Sequence, residues 1–263
     1  MDIQDLAKKE HWDDRYTIIN KNNTPKNWSP NDYNSLVIEN ILMTQINLYN
    51  PKTILEIGCG DSTWLPYIGK KTNAQITGID YSEEGCRLAR QRLNNEGVTG
   101  AIICEDIFNL NPESTGKYDF IYSLGVVEHY SDIQKILKTE LQFVEKGGIL
   151  FTEIPNLKCS IHRFLFWIYQ PELLAKHNKL SDIQLVEAYE NLGLIDINVK
   201  YAGLFTLTLV AWGTYPRWKT ISKLTLPLIL GIAHVVDYFL KKLKIYSGIA
   251  PFAPYIYIVG KKA

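Results

Sequence analysis

The apolar positions of the chain fall into short runs separated by stripes of helical period, and the two alternate. Thr53, Ile54, Leu55 and Ile57 form an apolar run broken only by Glu56, and Gly58 and Gly60 follow at once. This order reads as a buried strand, a tight turn and a helix at about 62–70. Before it, Ser29 with Pro30 and Asp32 predicts a helix running to Tyr49, where Asn50-Pro51 ends it. After it, 75–80 (QITGID) is a second strand ending in an acid, and Ser82 caps a helix with Cys86, Ala89 and Leu93 on one face. Asn95-Glu96-Gly97 stops that helix, and 101–104 is a third strand. The fourth strand is 118–124 (YDFIYSL). A capping box at Ser131–Gln134 then opens a helix striped by Ile133, Ile136, Leu137, Leu141 and Val144, and 149–155 (ILFTEIP) is a fifth strand.

Strand and helix alternating in this way predict a doubly wound α/β fold with a mostly parallel sheet and helices on both faces. Ligands of such sheets bind beyond the carboxyl ends of the strands, where the strand order reverses. The turns after Ile57, Asp80, Cys104 and Leu124 are therefore expected to meet around one crevice. The pattern changes after Pro155. A short aromatic helix at 161–168 is followed by a second capping box at Ser181–Gln184, a helix closed by Gly193, and a strand at 194–201. Residues 203–253 form an insertion with Trp212, Trp218 and a very apolar stretch at 224–240, and 255–260 (YIYIVG) is the last strand. The whole chain, 1–263, is expected to be one domain.

Composition narrows the function classes. Hydrophobic residues make up 46% of 263, enough for a sizeable core, and the formal net charge is zero, which argues against a dedicated nucleic-acid binder. The charge is uneven, however: from Lys200 onward nine Lys/Arg face a single acid, Asp237, so this quarter carries +8 and the rest −8. Cys59, Cys86, Cys104 and Cys159 lack CxxC spacing and read as reduced core residues. The first residues contain no apolar leader segment, so cytoplasmic residence is the expectation.

The stations ILEIGCG, TGIDYS, CEDIF, YDFIYSLGVVEHY and KGGILFTEIPN, in this order and spacing, resemble the class I S-adenosylmethionine (SAM)-dependent methyltransferases, specifically the small-molecule branch with V-E-H after strand four. The resemblance covers about 10–200 plus the last strand, and it implies a Rossmann-like seven-stranded sheet of order 3-2-1-4-5-7-6 with strand 7 antiparallel. It implies SAM as cofactor. Gly58, Cys59 and Gly60 would let the backbone touch the amino-acid part, with Glu56 on the crevice floor. Asp80 would take both ribose hydroxyls, since a carboxylate accepts two hydrogen bonds side by side, and Tyr81 would cover the adenine. Asp106 and the Ile107 N–H would read the adenine edge, and the carbonyls of Ser123 and Leu124 would face the ammonium. His11–Tyr16 resembles the family's W-D-x-R-Y segment, which makes Trp12 and Tyr16 cofactor caps and 1–31 a capping segment.

Glu128 and His129 lie where the methyl acceptor must sit, and His129 is the candidate general base. The alternative is a His that only orients its loop. Methyltransferases of quinone precursors with E-x-x-E-H here are linked to a divalent metal, but Gly125 replaces the first Glu and no metal is expected. His162, His177 and His234 show no ligand spacing with one another, and His177 is a candidate for lining the acceptor pocket. The resemblance implies O- or N-methylation of a small-molecule or lipid-like acceptor. Two alternatives remain: an NAD(P)-dependent oxidoreductase, disfavoured because Thr63 stands where the third glycine of G-x-G-x-x-G belongs, and a non-catalytic binding protein of this fold. The stretch 224–240 reads either as a buried lid or, with Lys241, Lys242 and Lys244 beside it, as a peripheral membrane contact through 224–244. Oligomeric state is not legible.

Overall fold

The computed structural model describes residues 5–20, 28–158, 160–206 and 219–263, with the side chains of 18–20 and 219–230 outside that description. Cys159, Trp212 and Trp218 therefore lie outside the described residues, as do 1–4 and 21–27 of the N-terminal segment and the side chains of 224–230 in the apolar stretch 224–240. The strands are β1 (Thr53–Ile57), β2 (Gln75–Asp80), β3 (Gly100–Cys104), β4 (Tyr118–Leu124), β5 (Val144–Pro155), β6 (Leu194–Ala202) and β7 (Tyr255–Lys262). The helices in the first half are α1 (Lys9–Asn20), α2 (Tyr33–Tyr49), α3 (Trp64–Lys71), α4 (Glu83–Glu96) and α5 (Pro112–Thr115). The second half adds α6 (Ile133–Gln142), α7 (Ile161–Tyr169), α8 (Pro171–Ala175), α9 (Asp182–Asn191) and α10 (Lys219–Leu243).

The strands form one sheet of order β3-β2-β1-β4-β5-β7-β6, as expected, with β7 antiparallel to both β5 and β6. The strand order reverses between β1 and β4, which pair in parallel, so the crevice opens at the ends of these two strands. Alternation along each strand sends Leu55, Ile57 and Ile121 to one face under α6 and α9. Ile54, Phe120, Tyr122 and Phe151 go to the other, under α2 and α3.

Two helix starts differ from the sequence reading. Asp32, not Ser29, caps α2, because its carboxylate accepts the Ser35 N–H at 3.0 Å. At α6 the cap is Asp132, one residue beyond Ser131, and it accepts from the Lys135 N–H at 3.1 Å. The box at Ser181 forms as read, with Ser181 and Gln184 each bonding the other's backbone. Cys59, Cys86 and Cys104 carry free thiols.

The insertion holds α10, whose inner residues Ala233 and Leu240 face the core while Ile232, Val235, Tyr238, Phe239 and Leu243 are each more than half exposed. Spacings of three and four place these five on one outward stripe. No helix among the described residues is long and apolar enough to cross a membrane.

α6 also buries Glu140 completely. Ser123 lies beside its carboxyl, but neither carboxylate oxygen meets a hydrogen-bond partner of good geometry among the described residues, and burial raises its pKa to about 8. A carboxyl raised on folding contributes its full stability below the unfolded value of about 4.3 and loses it as pH climbs through the folded value. Replacing Glu140 with Gln is therefore expected to raise the melting temperature at pH 8, with the gain shrinking toward pH 5. Thermal melts of both proteins across that range check this; a gain that grows toward acid pH would contradict it.

Candidate active site

Three strand ends and one loop converge at a single cavity of about 790 Å³, within the range of about 300–1,000 Å³ usual for small-molecule sites. After β1 the chain turns sharply. The N–H groups of Gly58 and Cys59 both bond the Ile79 carbonyl, at 2.8 and 3.0 Å. Gly58 sits at φ +71°, a left-handed conformation that glycine adopts without strain. Gly60 N–H then donates to Asp80 Oδ2 at 2.8 Å, while Asp80 Oδ1 takes the Ser82 N–H at 2.8 Å. One carboxylate thus holds the glycine turn and the start of α4 together. Each oxygen keeps a further lone pair. Asp80 is buried, and desolvation, opposed by these two backbone bonds, leaves its pKa at about 6.

Glu56 lies on the floor, where it accepts from the Tyr122 hydroxyl at 2.9 Å. Burial outweighs the hydroxyls of Ser62 and Tyr122 and raises it to about 8. Beside it, Asp61 pairs with the buried Arg92 at 3.0 Å. At the β3 end, Asp106 accepts from the Phe108 N–H at 3.0 Å and Ile107 is buried.

The roof comes from the N-terminal segment. Asp5 bridges to Tyr130 and accepts the Tyr81 hydroxyl at 2.8 Å, and the Leu6 N–H reaches the His129 carbonyl at 2.8 Å. Asp13 bonds the Ser82 hydroxyl, which fixes α1 against the start of α4. Trp12 then stands edge-on to His129 with ring centres 5.1 Å apart, and stacks on Tyr16 at 6.2 Å. Tyr16 lies over Gly60 and Gly85: a Cβ at Gly60 would fall 2.0 Å from its hydroxyl, and one at Gly85 2.8 Å from its ring.

Trp12, Tyr16, Glu56, Gly58, Cys59, Asp80, Tyr81, Asp106, Ile107, Leu124, Glu128 and His129 all line this cavity. Two residues of the sequence reading do not. Gly60 is covered by Tyr16, and the Ser123 side chain lies beside Glu140, although the group expected at the site from Ser123 is its carbonyl and not its side chain. His177 does line it. Arg15, Arg92, Glu153, Phe166, Leu173 and Tyr255 also line it and were not singled out in the sequence. For Glu153 a signal existed, since an acid inside the apolar strand ILFTEIP is costly unless it serves a site. The described side chains of α10 are absent from the lining.

Glu128 and His129 sit in a single 3₁₀ turn, Val127–His129, directly after β4. Both are buried, and burial pushes them apart in the uncharged direction: Glu128 rises to about 8 and His129 falls to about 3, helped down by His177. At neutral pH both are therefore neutral, and their 4.0 Å separation is no ion pair. An imidazole held this low is a weak proton acceptor, which disfavours a simple general-base role.

The family model "Methyltransferase domain" matches residues 55–152. The chain is 28% identical over 125 residues to the ubiquinone biosynthesis O-methyltransferase of Vibrio parahaemolyticus, covering 48% of this chain and 52% of that one. It is 27% identical over 99 residues to a probable fatty acid methyltransferase of Pseudomonas putida, covering 37% of this chain and 25% of that one. The chain thus spans about half the length of the ubiquinone relative. Among solved structures, the plantazolicin methyltransferase BpumL superposes with a TM-score of 0.59 at 20% identity, covering 98% of this chain and 95% of that one. The phosphoethanolamine N-methyltransferase 2 of Haemonchus contortus gives 0.58 at 14%, covering 98% and 59%. Motif order, sheet order and these relatives agree, and the chain is similar to the class I S-adenosylmethionine-dependent methyltransferases, with the family model matching residues 55–152.

Proposed function

We propose that the protein transfers a methyl group from SAM to the oxygen or nitrogen of a small, hydrophobic acceptor. The observation that carries this reading is the shared cavity, into which β1, β2, β3, the loop after β4 and α1 all deliver side chains. The residues present fit the cofactor. Asp80 retains two free lone pairs for a pair of hydroxyls, Asp106 and Ile107 stand at the β3 end for an adenine edge, and Trp12, Tyr16 and Tyr81 supply aromatic surface. Glu56, Gly58, Cys59 and Leu124 line the region assigned to the amino-acid part, with Gly60 and Ser123 supporting it from behind. Residues 1–31 act as a capping segment and 203–253 as an insertion within one methyltransferase domain.

SAM supplies a sulfonium methyl already activated for displacement. What remains for the chain is to hold the acceptor in line and exclude water, and orientation alone is worth effective molarities of about 10⁵–10⁸ M. Glu153, Pro155, Phe166, Leu173, His177 and Tyr255 belong to the β5, β7 and α7–α8 side of the cavity, across β1 from the Asp80 end. Their mainly apolar character suits a hydrophobic acceptor. Glu128 and His129 stand at the same side and position it.

Two measurements test the cofactor half. Calorimetric titration of SAM is expected to show micromolar binding to wild type and a loss of about 10- to 100-fold in Asp80→Ala, the size of one or two charge-assisted hydrogen bonds. Equal affinity in the variant would remove Asp80 from the site. Because hydroxyl donors favour the ionised carboxylate, affinity is also expected to fall as pH drops through about 6, by up to about 10-fold for each further unit. Affinity that rises toward pH 5 would contradict this.

The outward stripe of α10 supports a peripheral membrane contact for the same enzyme. Five apolar side chains stand in solvent beside Lys241, Lys242 and Lys244, an arrangement that favours an anionic lipid surface. Wild type is expected to float with vesicles containing anionic lipid and not with neutral ones, and Val235→Asp/Phe239→Asp to lose flotation with SAM affinity unchanged. Equal recovery on both vesicle types would rule the contact out.

A further inference from the structure

β4 and β5 pair so that Leu124 lies beside Glu153, and the N–H of Gly125, the next residue, bonds the Glu153 carbonyl at 3.0 Å. The turn that follows carries Glu128. Burial, and then Glu128 beside it, raise the Glu153 carboxyl well above the usual carboxylate range. Both acids line the cavity and both are nearly inaccessible, with exposures of 1% for Glu128 and 4% for Glu153. Glu128 Oε2 and Glu153 Oε1 meet no hydrogen-bond partner among the described residues, and no Lys or Arg there pairs with either carboxyl. The neighbouring imidazoles do not supply what is missing. His129 Nδ1 faces the Lys176 carbonyl at 3.0 Å, and His177 Nδ1 faces the Leu173 carbonyl at 2.6 Å. A carbonyl only accepts, so each neutral ring carries its hydrogen on Nδ1 and keeps a lone pair on Nε2. This end of the cavity is therefore rich in acceptors with no cation paired to them. Two unpaired acids beside Phe166 and Leu173 are costly to bury unless a ligand supplies the partner.

We propose that Glu128 and Glu153 select an amine as the methyl acceptor, holding its nitrogen between their carboxyl groups while Phe166 and Leu173 contact its hydrocarbon body. The inference rests on the methyl-transfer reading and names nitrogen, not oxygen, as the atom methylated. Charge decides between the two. Transfer from a sulfonium to a neutral amine moves the positive charge onto the acceptor nitrogen, whereas transfer to a phenolate or alkoxide needs an anion there. Carboxyl oxygens set at the acceptor stabilise the first change and oppose the second. An alkylamine enters as its ammonium ion, the form it takes at neutral pH, and displaces one proton from the carboxyl pair to solvent. One N–H proton then passes to the Glu153 carboxylate, which burial makes a stronger base than an exposed one. The nitrogen lone pair so freed forms the N–CH₃ bond, and the S–CH₃ pair stays on sulfur as the sulfonium becomes a thioether. The methylammonium product carries the charge away.

The test uses the full chain with excess S-adenosylhomocysteine, titrated calorimetrically with 2-phenylethylamine and hexylamine and with the alcohols of the same shape, 2-phenylethanol and hexanol. Each amine is expected to bind at least about 10-fold more tightly than its alcohol, the size of one charge-assisted hydrogen bond. In Glu153→Gln and in Glu128→Gln the preference should shrink toward parity, while retained SAM affinity shows that the variants are folded; if one does not fold, the other decides. Equal affinity for amine and alcohol in wild type overturns the proposal, as does a wild type that binds neither amine or a preference that survives in the folded variants. Any of these results beside intact SAM binding leaves the transferase reading standing. An amine preference without SAM binding keeps the amine site and removes the transferase reading, and failure of both removes both.

Discussion

The carboxylate of Asp80 is the interaction on which the crevice depends. It receives the Gly60 N–H with one oxygen and the Ser82 N–H with the other, and so fastens the turn after β1 to the turn after β2. Those turns lie at the point where the strand order reverses, and nothing else among the described residues joins them at that depth except the bonds to the Ile79 carbonyl. The same contact sets the start of α4, which in turn receives α1 through Asp13 and Ser82. The roof of the cavity is thus hung from its floor. An acid that lines the cavity is also the acid that builds it, so replacing Asp80 removes both a lining group and a fastening.

A second constraint is the number of acids kept out of water. Glu56, Glu128, Glu140 and Glu153 are all buried, and each carboxyl is raised by desolvation. Glu153 is raised further by its neighbour Glu128. Buried carboxyls of this kind oppose folding above the usual carboxylate range. Three of the four line the cavity, where ligand groups can meet them, whereas Glu140 is buried on α6 away from it.

The sheet was legible because short apolar runs bounded by glycine and helix caps are local signals, and each strand carries its own. Part of the cavity lining was legible for the same reason, since Glu56, Gly58, Asp80 and Asp106 all sit at or just past a strand end. What stayed hidden depends on distance in the chain. His177 is brought to His129 by a loop whose only sequence mark is that it precedes a capped helix, and Arg92 reaches Asp61 from the middle of an unremarkable amphipathic helix. The stretch 224–240 was ambiguous because an apolar composition alone does not distinguish a helix that is covered from one that faces solvent.

The ring of Tyr16 occupies the space that any side chain at position 60 or position 85 would need. Three sites separated by dozens of residues therefore form one unit of inheritance. A side chain at either position fits only if the tyrosine ring moves away, and losing the tyrosine relieves both positions at once. The order in which such changes accumulate is thereby written into the packing of one aromatic ring.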